Sequence, residues 1–207
     1  HLKENEKIVL VGDENIAKKW FLSNHIDSSI FEFIHADEVI TMNEHATKAL
    51  RKKPNNSISV GFKALKEKKI DVFSSAGNSG AMLVGSMFSI GPIKGVIRPS
   101  ITSVLPKKNG GVGLILDVGV NADCKPDVLF QFAILGSLFA ENIYNIKTPR
   151  VGLLNIGEEK GKGNLLTQAT YRLLEDNDDI NFIGNVEGRD LFNDKADVIV
   201  CDGFTGN

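Results

Sequence analysis

The sharpest candidate for chemistry in this sequence is the turn Ser75-Ala76-Gly77-Asn78-Ser79-Gly80, which precedes a predicted helix. Its two glycines would let the backbone pass close to a ligand, and the first N–H groups of the helix would point towards that ligand. Its two serine hydroxyls add donors, so the turn is typical of a phosphate cradle. It lacks the Gly-Lys-Ser/Thr ending of a P-loop. The alternative is an ordinary tight turn in which the asparagine or a serine caps the helix.

A second turn, at residues 155–164, combines lysines and glycines between a predicted strand and a predicted helix. Lys160 and Lys162 could hold an anion, and Glu158 and Glu159 could orient those lysines or accept a proton. The alternative is a charged, flexible surface loop. The Gly-Lys-Gly-Asn ending just before a helix argues against simple looseness.

Three further turns with glycine and polar residues follow predicted strands, at residues 117–123, 184–190 and 202–207. Arg189 lies in the second of these turns, and Asp202 and Asn207 bound the third. Arg98 is another candidate ligand for an anion, because a guanidinium can bind phosphate or carboxylate through two parallel hydrogen bonds. We therefore expect an enzyme that binds an anionic, phosphate-bearing ligand, with the reaction still open at this point.

Other kinds of site find little support in the sequence. The four histidines form no metal-binding spacing, and no Gly-x-Ser-x-Gly motif is present. The two cysteines, Cys124 and Cys201, have no histidine in a recognisable relation, so we interpret them as structural. No Gly-x-Gly-x-x-Gly motif opens a helix near the start of the chain, which disfavours a nicotinamide cofactor. We predict neither a metal nor a cofactor.

The charge of the chain disfavours nucleic acid as a partner, because its net charge is -2 and its pI about 6.1. Local basic stretches occur at residues 51–53, 66–69 and 107–108. We interpret them as solvated helix faces or turns, and the alternative is that one of them docks an acidic partner. The first residues are polar and charged, without the features of a signal peptide, so we expect a cytoplasmic protein.

Short apolar runs alternate with helical segments along the whole chain. Strands are predicted at 8–11, 31–35, 71–74, 101–105, 112–116, 150–156, 181–183 and 198–201, and helices at 14–23, 43–53, 57–69, 81–88, 126–144 and 165–176. This alternation predicts a three-layer α/β/α fold with a mostly parallel sheet and one antiparallel hairpin at 101–116. We expect one domain over residues 1–207. Ligands of such sheets bind at the carboxyl ends of the strands.

The predicted helix at residues 126–144 is apolar around nearly its whole circumference. Such a helix is buried on more than one side. One face fits burial within the domain. The other fits either the same core or a dimer interface, and the residues alone leave both readings open.

Taken together, the motifs resemble one family, the phosphate acyltransferases of bacterial phospholipid synthesis (the PlsX family). The resemblance covers essentially the whole chain. The motifs that carry it, in the family's order, are Ser-Ala-Gly-Asn-Ser-Gly-Ala at 75–81, Arg-Pro at 98–99, Leu-Pro-Lys-Lys-Asn-Gly-Gly at 105–111, Leu-Asp-Val-Gly-Val-Asn-Ala-Asp-Cys-Lys-Pro at 116–126, Val-Gly-Leu-Leu-Asn-Ile-Gly-Glu-Glu at 151–159, Gly-Lys-Gly-Asn at 161–164, Asn-Phe-Ile-Gly-Asn-Val-Glu-Gly-Arg-Asp at 181–190 and Ala-Asp-Val-Ile-Val-Cys-Asp-Gly-Phe-Thr-Gly-Asn at 196–207.

The chain departs from the family pattern in a few places. Ser79 stands where threonine is usual, and Val120 where alanine is usual. The family also begins with a strand and an Ala-Met-Gly-Gly-Asp loop, and it continues through several helices after the motif that ends at Asn207. We therefore expect this domain to be incomplete at both ends relative to the family.

The resemblance implies a fold like that of the isocitrate and isopropylmalate dehydrogenases and the phosphotransacetylases. It implies a homodimer that transfers a fatty acyl group from acyl carrier protein to inorganic phosphate. Peripheral contact with the inner face of the membrane is implied through segments absent from this chain. Two rival hypotheses remain: a dehydrogenase on the same fold, and a module that binds acyl carrier protein without catalysis.

Roles for individual residues follow from this resemblance as hypotheses. The turn at 75–80 would bind phosphate or the pantetheine phosphate, and Lys162 would orient the attacking phosphate and offset its charge. Asn207 would donate to the thioester carbonyl or fix the phosphate. Arg98 and Arg189, together with Asp202, are further candidates for substrate contact.

Overall fold

The strands of this chain form two sheets, as seen in a computed structural model that describes residues 5–207. His1 and the three residues after it lie outside the described part. In the smaller sheet, β1 (Ile8–Gly12) and β2 (Phe31–His35) pair in parallel. Helix α1 (Glu14–Ser23) connects the two strands, and the carboxylate of Asp13 caps its first turn.

Three helices follow in the same part of the chain: α2 (Ala46–Lys52), α3 (Ser57–Lys66) and α4 (Ser79–Ser89). The Asn56 side chain caps α3, since its Oδ1 accepts from the Ser59 N–H at 2.9 Å. The helices share a small apolar core, whose buried members are Ile40, Ala49, Ile58, Phe62 and Ala81. Burial of these side chains is what holds the helices together.

The predicted strand at residues 71–74 is wrong, because this stretch is irregular. The Phe73 ring packs edge-to-face on Phe62, with 5.0 Å between ring centroids. The ring occupies the space where a side chain at Gly61 would lie. Val72 is 80% exposed. The segment is therefore anchored to α3 through one aromatic side chain and pairs with neither β1 nor β2.

The larger sheet has the strand order β3-β4-β7-β5-β6. Its strands are β3 (Thr102–Pro106), β4 (Val112–Leu116), β5 (Val151–Leu154), β6 (Phe182–Val186) and β7 (Val198–Val200). β3 is antiparallel to β4, and every other neighbouring pair is parallel. The predicted hairpin and the mostly parallel sheet are thus confirmed.

The long apolar helix α5 (Pro126–Tyr144) packs on this sheet together with α6 (Leu165–Glu175). Phe132 is fully buried, and Gly136 leaves room for the side chains of Val198 and Leu116. Three apolar residues of α5 stay at least two-fifths exposed: Leu138, Phe139 and Ile143. The core therefore covers one face of the helix, and a dimer interface over the other stays a prediction.

The basic residue Lys107 is not solvated as expected, because an ion-pair network buries it. Its ammonium lies 2.6 Å from Asp197 and 2.9 Å from Asp194, and only 5% of its side chain is exposed. Arg150 binds the same two carboxylates. Burial opposes ionisation of Asp197, but the bonds from Arg150 and Lys107 outweigh it and lower the pKa of Asp197. This network ties the turn of the β3–β4 hairpin to the start of β7.

Along the chain, the structure divides into two compact units, one ending at Pro92 and the other formed by Ile93–Asn207. The expectation of a single α/β domain stays a prediction. Among the helices of residues 5–207, none has the length and apolar character needed to cross a membrane.

Candidate functional site

The loops that carry five of the predicted site residues lie at one edge of the larger sheet. β4, β7, β5 and β6 run parallel, so their carboxyl ends share this edge. β3 begins there too, because Thr102 pairs with Leu116. We call this the carboxyl edge. Its loops are residues 98–101, 117–125, 155–164, 187–190 and 201–207, and they carry Arg98, Lys162, Arg189, Asp202 and Asn207.

Asp117, directly after β4, organises the loops on one side of the carboxyl edge. Its side chain is fully buried. One carboxylate oxygen accepts from the backbone N–H groups of Ile101, at 3.2 Å, and Val120, at 3.3 Å. The other accepts from the backbone N–H of Asn121, at 2.6 Å, and from its side-chain amide, at 2.7 Å. Because each oxygen of this buried carboxylate accepts two hydrogen bonds, Asp117 fixes the backbone of the loops that donate them.

Asn121 extends this network to two more loops. Its side-chain amide donates to the Pro99 carbonyl at 2.9 Å, and its backbone carbonyl accepts from the Gly203 N–H at 2.8 Å. Asp117 and Asn121 thereby join the loops before β3, after β4 and after β7. The turn at 117–123 is recognisable in the sequence, but the roles of Asp117 and Asn121 are not, because nothing in the spacing shows which distant backbone groups they reach.

The final loop places Asn207 beside the loop after β4. Asp202 caps the short helix α7 (Gly203–Gly206), accepting from the Phe204 N–H at 3.0 Å and the Thr205 N–H at 2.8 Å. Asn207 Oδ1 lies where a side chain at Gly119 would come within 2.8 Å of it. Gly119 also has φ +108°, so glycine suits this position twice over. The Asp202 carboxylate is thus already engaged within its own loop.

Arg98 is exposed, and within residues 5–207 its guanidinium makes one hydrogen bond, to the Asp123 carbonyl at 3.0 Å. Two cysteines lie in the neighbouring loops. Burial and then the nearby Asp202 and Asp117 raise the pKa of the Cys124 thiol to about 11 and that of the Cys201 thiol to about 12. At neutral pH both stay protonated thiols, which are poor nucleophiles.

The backbone around Lys162 is held firmly on the other side of the edge. The Asn155 side-chain amide donates to the Lys162 carbonyl and to Asn185 Oδ1, each at 3.1 Å. Gly163 has φ +90° and is packed against Asn155 and Thr167. These contacts argue against the flexible-loop interpretation of residues 155–164.

The two lysines of this loop differ in their partners. The ammonium of Lys160 pairs with Glu175 and lies 5.7 Å from the centroid of the Tyr171 ring. The ammonium of Lys162 lies 3.9 Å from Glu159, with 52% of its side chain exposed. Lys162 is therefore the more available of the two for an incoming anion.

Arg189 is paired with carboxylates rather than free for a substrate. Its guanidinium lies 3.1 Å from Glu187 and 3.4 Å from Glu158. The Lys195 ammonium also bonds to Glu158 and lowers the pKa of that carboxyl. Burial favours the neutral form of Asp190, but hydrogen bonds from the Glu187 N–H, from Asn193 and from Lys195 outweigh it and bring its pKa to about 2.

Three of the most exposed apolar side chains also lie at the carboxyl edge. Ile156 is 84% exposed, Leu165 87% and Phe204 81%. Ile156 lies near the start of the Lys162 loop, Leu165 directly follows that loop, and Phe204 precedes Asn207 by three residues. Polar loops with apolar side chains among them suit a ligand that has both an anionic and a hydrocarbon part.

In the first unit, the predicted phosphate turn is stabilised mainly by Asn78. Its Oδ1 accepts from the Ala81 N–H at 3.0 Å, and its amide donates to the carbonyls of Thr41, at 3.1 Å, Met42, at 3.3 Å, and Glu44, at 3.1 Å. The helix-cap interpretation of Asn78 is therefore confirmed, and the phosphate role of the turn stays a prediction.

The other residues of this turn make fewer contacts than Asn78. Ser75 Oγ accepts from the Gly77 N–H at 3.1 Å. Ser79 and Gly80 are exposed at the first turn of α4, where backbone N–H groups lack helical acceptors. Within residues 5–207, no three His, Cys, Asp or Glu side chains are grouped so that they could hold a metal ion.

Proteins similar to this chain in sequence include several named phosphate acyltransferase. A protein of Dictyoglomus turgidum named phosphate acyltransferase is 49% identical over 205 residues, covering 99% of this chain and 61% of the relative. The phosphate acyltransferase of Acetivibrio thermocellus is 49% identical over 201 residues, covering 97% of this chain and 59% of the relative. The chain thus spans about three-fifths of the length of these relatives.

Two solved structures with a similar fold are phosphotransacetylases. The EutD phosphotransacetylase from Staphylococcus aureus has a TM-score of 0.63 at 16% identity, over 97% of this chain and 71% of that one. A phosphotransacetylase from Streptococcus pyogenes has a TM-score of 0.64 at 13% identity, over 98% of this chain and 80% of that one. At these identities the likeness concerns the fold alone. The sequence of residues 2–207 matches the family described as fatty acid synthesis protein, and the chain belongs to that family.

Proposed function

We propose that the protein containing this chain transfers a fatty acyl group from acyl carrier protein to inorganic phosphate, and so supplies acyl phosphate for phospholipid synthesis. The observation that carries the proposal is the 49% identity, over nearly the whole chain, to proteins named phosphate acyltransferase. The carboxyl edge supports it, because polar loops and exposed apolar side chains meet there.

The proposed step is a direct attack on a thioester. An oxygen of hydrogen phosphate bonds to the acyl carbonyl carbon, the carbon–sulfur bond breaks, and the phosphate proton ends on the released thiol. Phosphate is itself the nucleophile, so the enzyme has to position it and stabilise the oxyanion that forms. The raised pKa values of Cys124 and Cys201 fit a route without a cysteine nucleophile.

Lys162 and Asn207 carry the main roles in this proposal. The exposed, loosely paired ammonium of Lys162 binds the attacking phosphate and offsets its charge. The Asn207 amide donates to the carbonyl oxygen as negative charge develops there, or fixes the phosphate. Their loops follow β5 and β7, which are paired neighbours. Phe204, in the loop of Asn207, and Leu165, directly after the loop of Lys162, are exposed and supply apolar contacts for the first methylene groups of the acyl chain.

The remaining candidates take supporting roles. The backbone N–H groups of the exposed residues Ser79 and Gly80, with the Ser75 hydroxyl, bind phosphate or the pantetheine phosphate. Arg98 contacts an anion directly, since its exposed guanidinium has one backbone partner among the described residues. Asp202 acts through its cap of α7, which positions Asn207, and Arg189 reaches an anion only by leaving Glu187 and Glu158.

The proposal extends to partners and location. Acyl carrier protein is the acyl donor, and the full-length protein is a cytoplasmic homodimer of dehydrogenase-like fold. Any peripheral contact with the inner face of the membrane is made by segments outside this chain. The exposed apolar face of α5, with Leu138, Phe139 and Ile143, supports a dimer.

The test is release of carrier thiol by the full-length protein from long-chain acyl-carrier protein, with and without inorganic phosphate. We expect phosphate-dependent release that Lys162→Ala lowers by roughly a hundredfold or more, as expected for loss of one oriented charge in the transition state. Lys160→Ala is the matched control and should retain activity, because Lys160 is already paired with Glu175. Release without phosphate would indicate a thioesterase, and binding without release would favour a non-catalytic module.

A further inference from the structure

A groove with a volume of about 340 Å³ lies between α2 and α4 of the first unit. Its walls are Thr47, Leu50 and Arg51 from α2 and Val84 and Phe88 from α4. The volume is at the lower end of the roughly 300–1,000 Å³ typical of small-molecule pockets. None of the roles proposed above uses this groove.

The spacing of small and large residues explains why the groove exists. Near their first residues the two helices are close, because a side chain added at Gly80 would lie 3.3 Å from the Ala46 Cβ. The wall residues lie further along, three and four positions apart on α2 and four apart on α4, so each set occupies a single helix face. The groove is thus formed by one face of α2 and one face of α4.

The groove combines an apolar wall with a positive rim. Leu50, Val84 and Phe88 line it with hydrocarbon, and the Phe88 side chain is 79% exposed. Arg51 has no hydrogen-bond or ion-pair partner within residues 5–207. Helix α2 carries three basic residues and no acidic one, and α4 carries no charged residue at all.

This arrangement favours an occupant with two chemical parts. A purely apolar ligand would make no use of the exposed charge of Arg51, and a small anion would leave the apolar wall in water. A cation would be repelled by the basic residues of α2. The ligand chemistry that satisfies both parts is a hydrocarbon chain with an anionic head.

We propose that the groove binds one aliphatic chain that ends in a carboxylate or a phosphate, with its chain against Leu50, Val84 and Phe88 and its head at Arg51. Fatty acids and acyl phosphates share this chemistry. The site goes beyond the proposed function, because it describes a binding site in the first unit and requires no turnover. The occupant is a single amphiphile in monomeric form, not a bilayer surface.

The experiment is calorimetric titration of the full-length protein with decanoate, decyl phosphate and 1-decanol, each below the concentration at which it forms micelles. We expect both anions to bind at least tenfold more tightly than the alcohol, because a hydrogen bond from Arg51 to a charged head is stronger than one to a neutral hydroxyl. Across alkyl phosphates of increasing length, affinity should rise by up to roughly fourfold per added methylene until the groove is full. The difference between decanoate and decyl phosphate tells which head the site prefers.

Two matched pairs of variants locate the binding. Arg51→Glu should weaken both anions at least tenfold, whereas Lys52→Glu, with the same charge change on a residue of α2 that does not line the groove, should change affinity less than twofold. Val84→Trp should fill the groove and abolish binding. Met87→Trp, on the same helix but outside the groove, should leave it intact. Circular dichroism confirms that each variant is folded.

Three results would overturn the proposal. The first is equal weakening by Arg51→Glu and Lys52→Glu, and the second is equal affinity for anions and alcohol. The third is binding to vesicles of anionic phospholipid with none to monomeric amphiphile, which would make the groove a membrane contact. Since none of these measurements involves turnover, their outcome is independent of the acyl transfer assay.

Discussion

Replacing Asp117 by asparagine should loosen the carboxyl edge, because this carboxylate accepts four hydrogen bonds while fully buried. An amide of the same shape has one oxygen, so two of these bonds are lost. Two N–H donors then face an N–H₂ group. Each buried donor left unsatisfied costs about 1–3 kcal/mol, which predicts a loss of about 2–6 kcal/mol in the free energy of unfolding.

Urea unfolding followed by circular dichroism measures this loss. The midpoint should fall by roughly 1 M or more with an unchanged m-value. The matched control is Asp123→Asn, because the Asp123 side chain is exposed and only its backbone carbonyl holds Arg98. It should stay within about 0.5 kcal/mol of the parent. If Asp117→Asn were equally mild, the assignment of Asp117 as the organiser of these loops would be refuted.

The same measurement should separate two carboxylates at the opposite edge of the larger sheet. Asp197→Asn should cost about 3–5 kcal/mol, because it removes the buried partner of Lys107 and leaves that ammonium with the exposed Asp194 alone, whereas Asp194→Asn should cost clearly less. Because the pKa of Asp197 is lower in the folded than in the unfolded state, this carboxylate stabilises the fold above about pH 4, and its contribution is lost as the pH falls further. The difference in free energy of unfolding between the parent and Asp197→Asn should therefore become smaller in acid. A constant difference from pH 7 to pH 3 would contradict this. Cys124 and Cys201 should react with a thiol reagent far more slowly in the native protein than in urea at pH 8, given their raised pKa values, and equal rates would rule out the buried, protonated thiols. Asn78→Ala should lower the free energy of unfolding by at least about 2 kcal/mol, because it removes a helix cap and three hydrogen bonds to carbonyls. A loss below about 0.5 kcal/mol would show that these hydrogen bonds are not formed in solution.

Much of the larger sheet could be predicted from the sequence. Its strands are short apolar runs, and Pro126 at the start of α5 and Asn164 before α6 mark where helices begin. Ligands bind at the carboxyl ends of parallel strands, so the sequence alone predicts that the loops of Lys162 and Asn207 lie at one edge, even without the strand order. Local pattern and sheet geometry were sufficient here because both act over short distances.

The missed features depend on contacts between residues far apart in the chain. Residues 71–74 have the composition of a strand, but the packing of Phe73 on Phe62 decides their conformation. Lys107 looked like a surface lysine because its partner Asp197 lies 90 residues away. Asp117 is one aspartate among many in the sequence, and its role emerges only from the four donors around it.

The most direct test of the proposed reaction follows the phosphate itself. The full-length protein would be incubated with long-chain acyl-carrier protein and radiolabelled phosphate, and label in organic-soluble acyl phosphate would be compared with the thiol released. The account predicts one phosphate incorporated for each thiol, with both falling together in Lys162→Ala and neither in Lys160→Ala. Thiol release without label in the lipid fraction would contradict it.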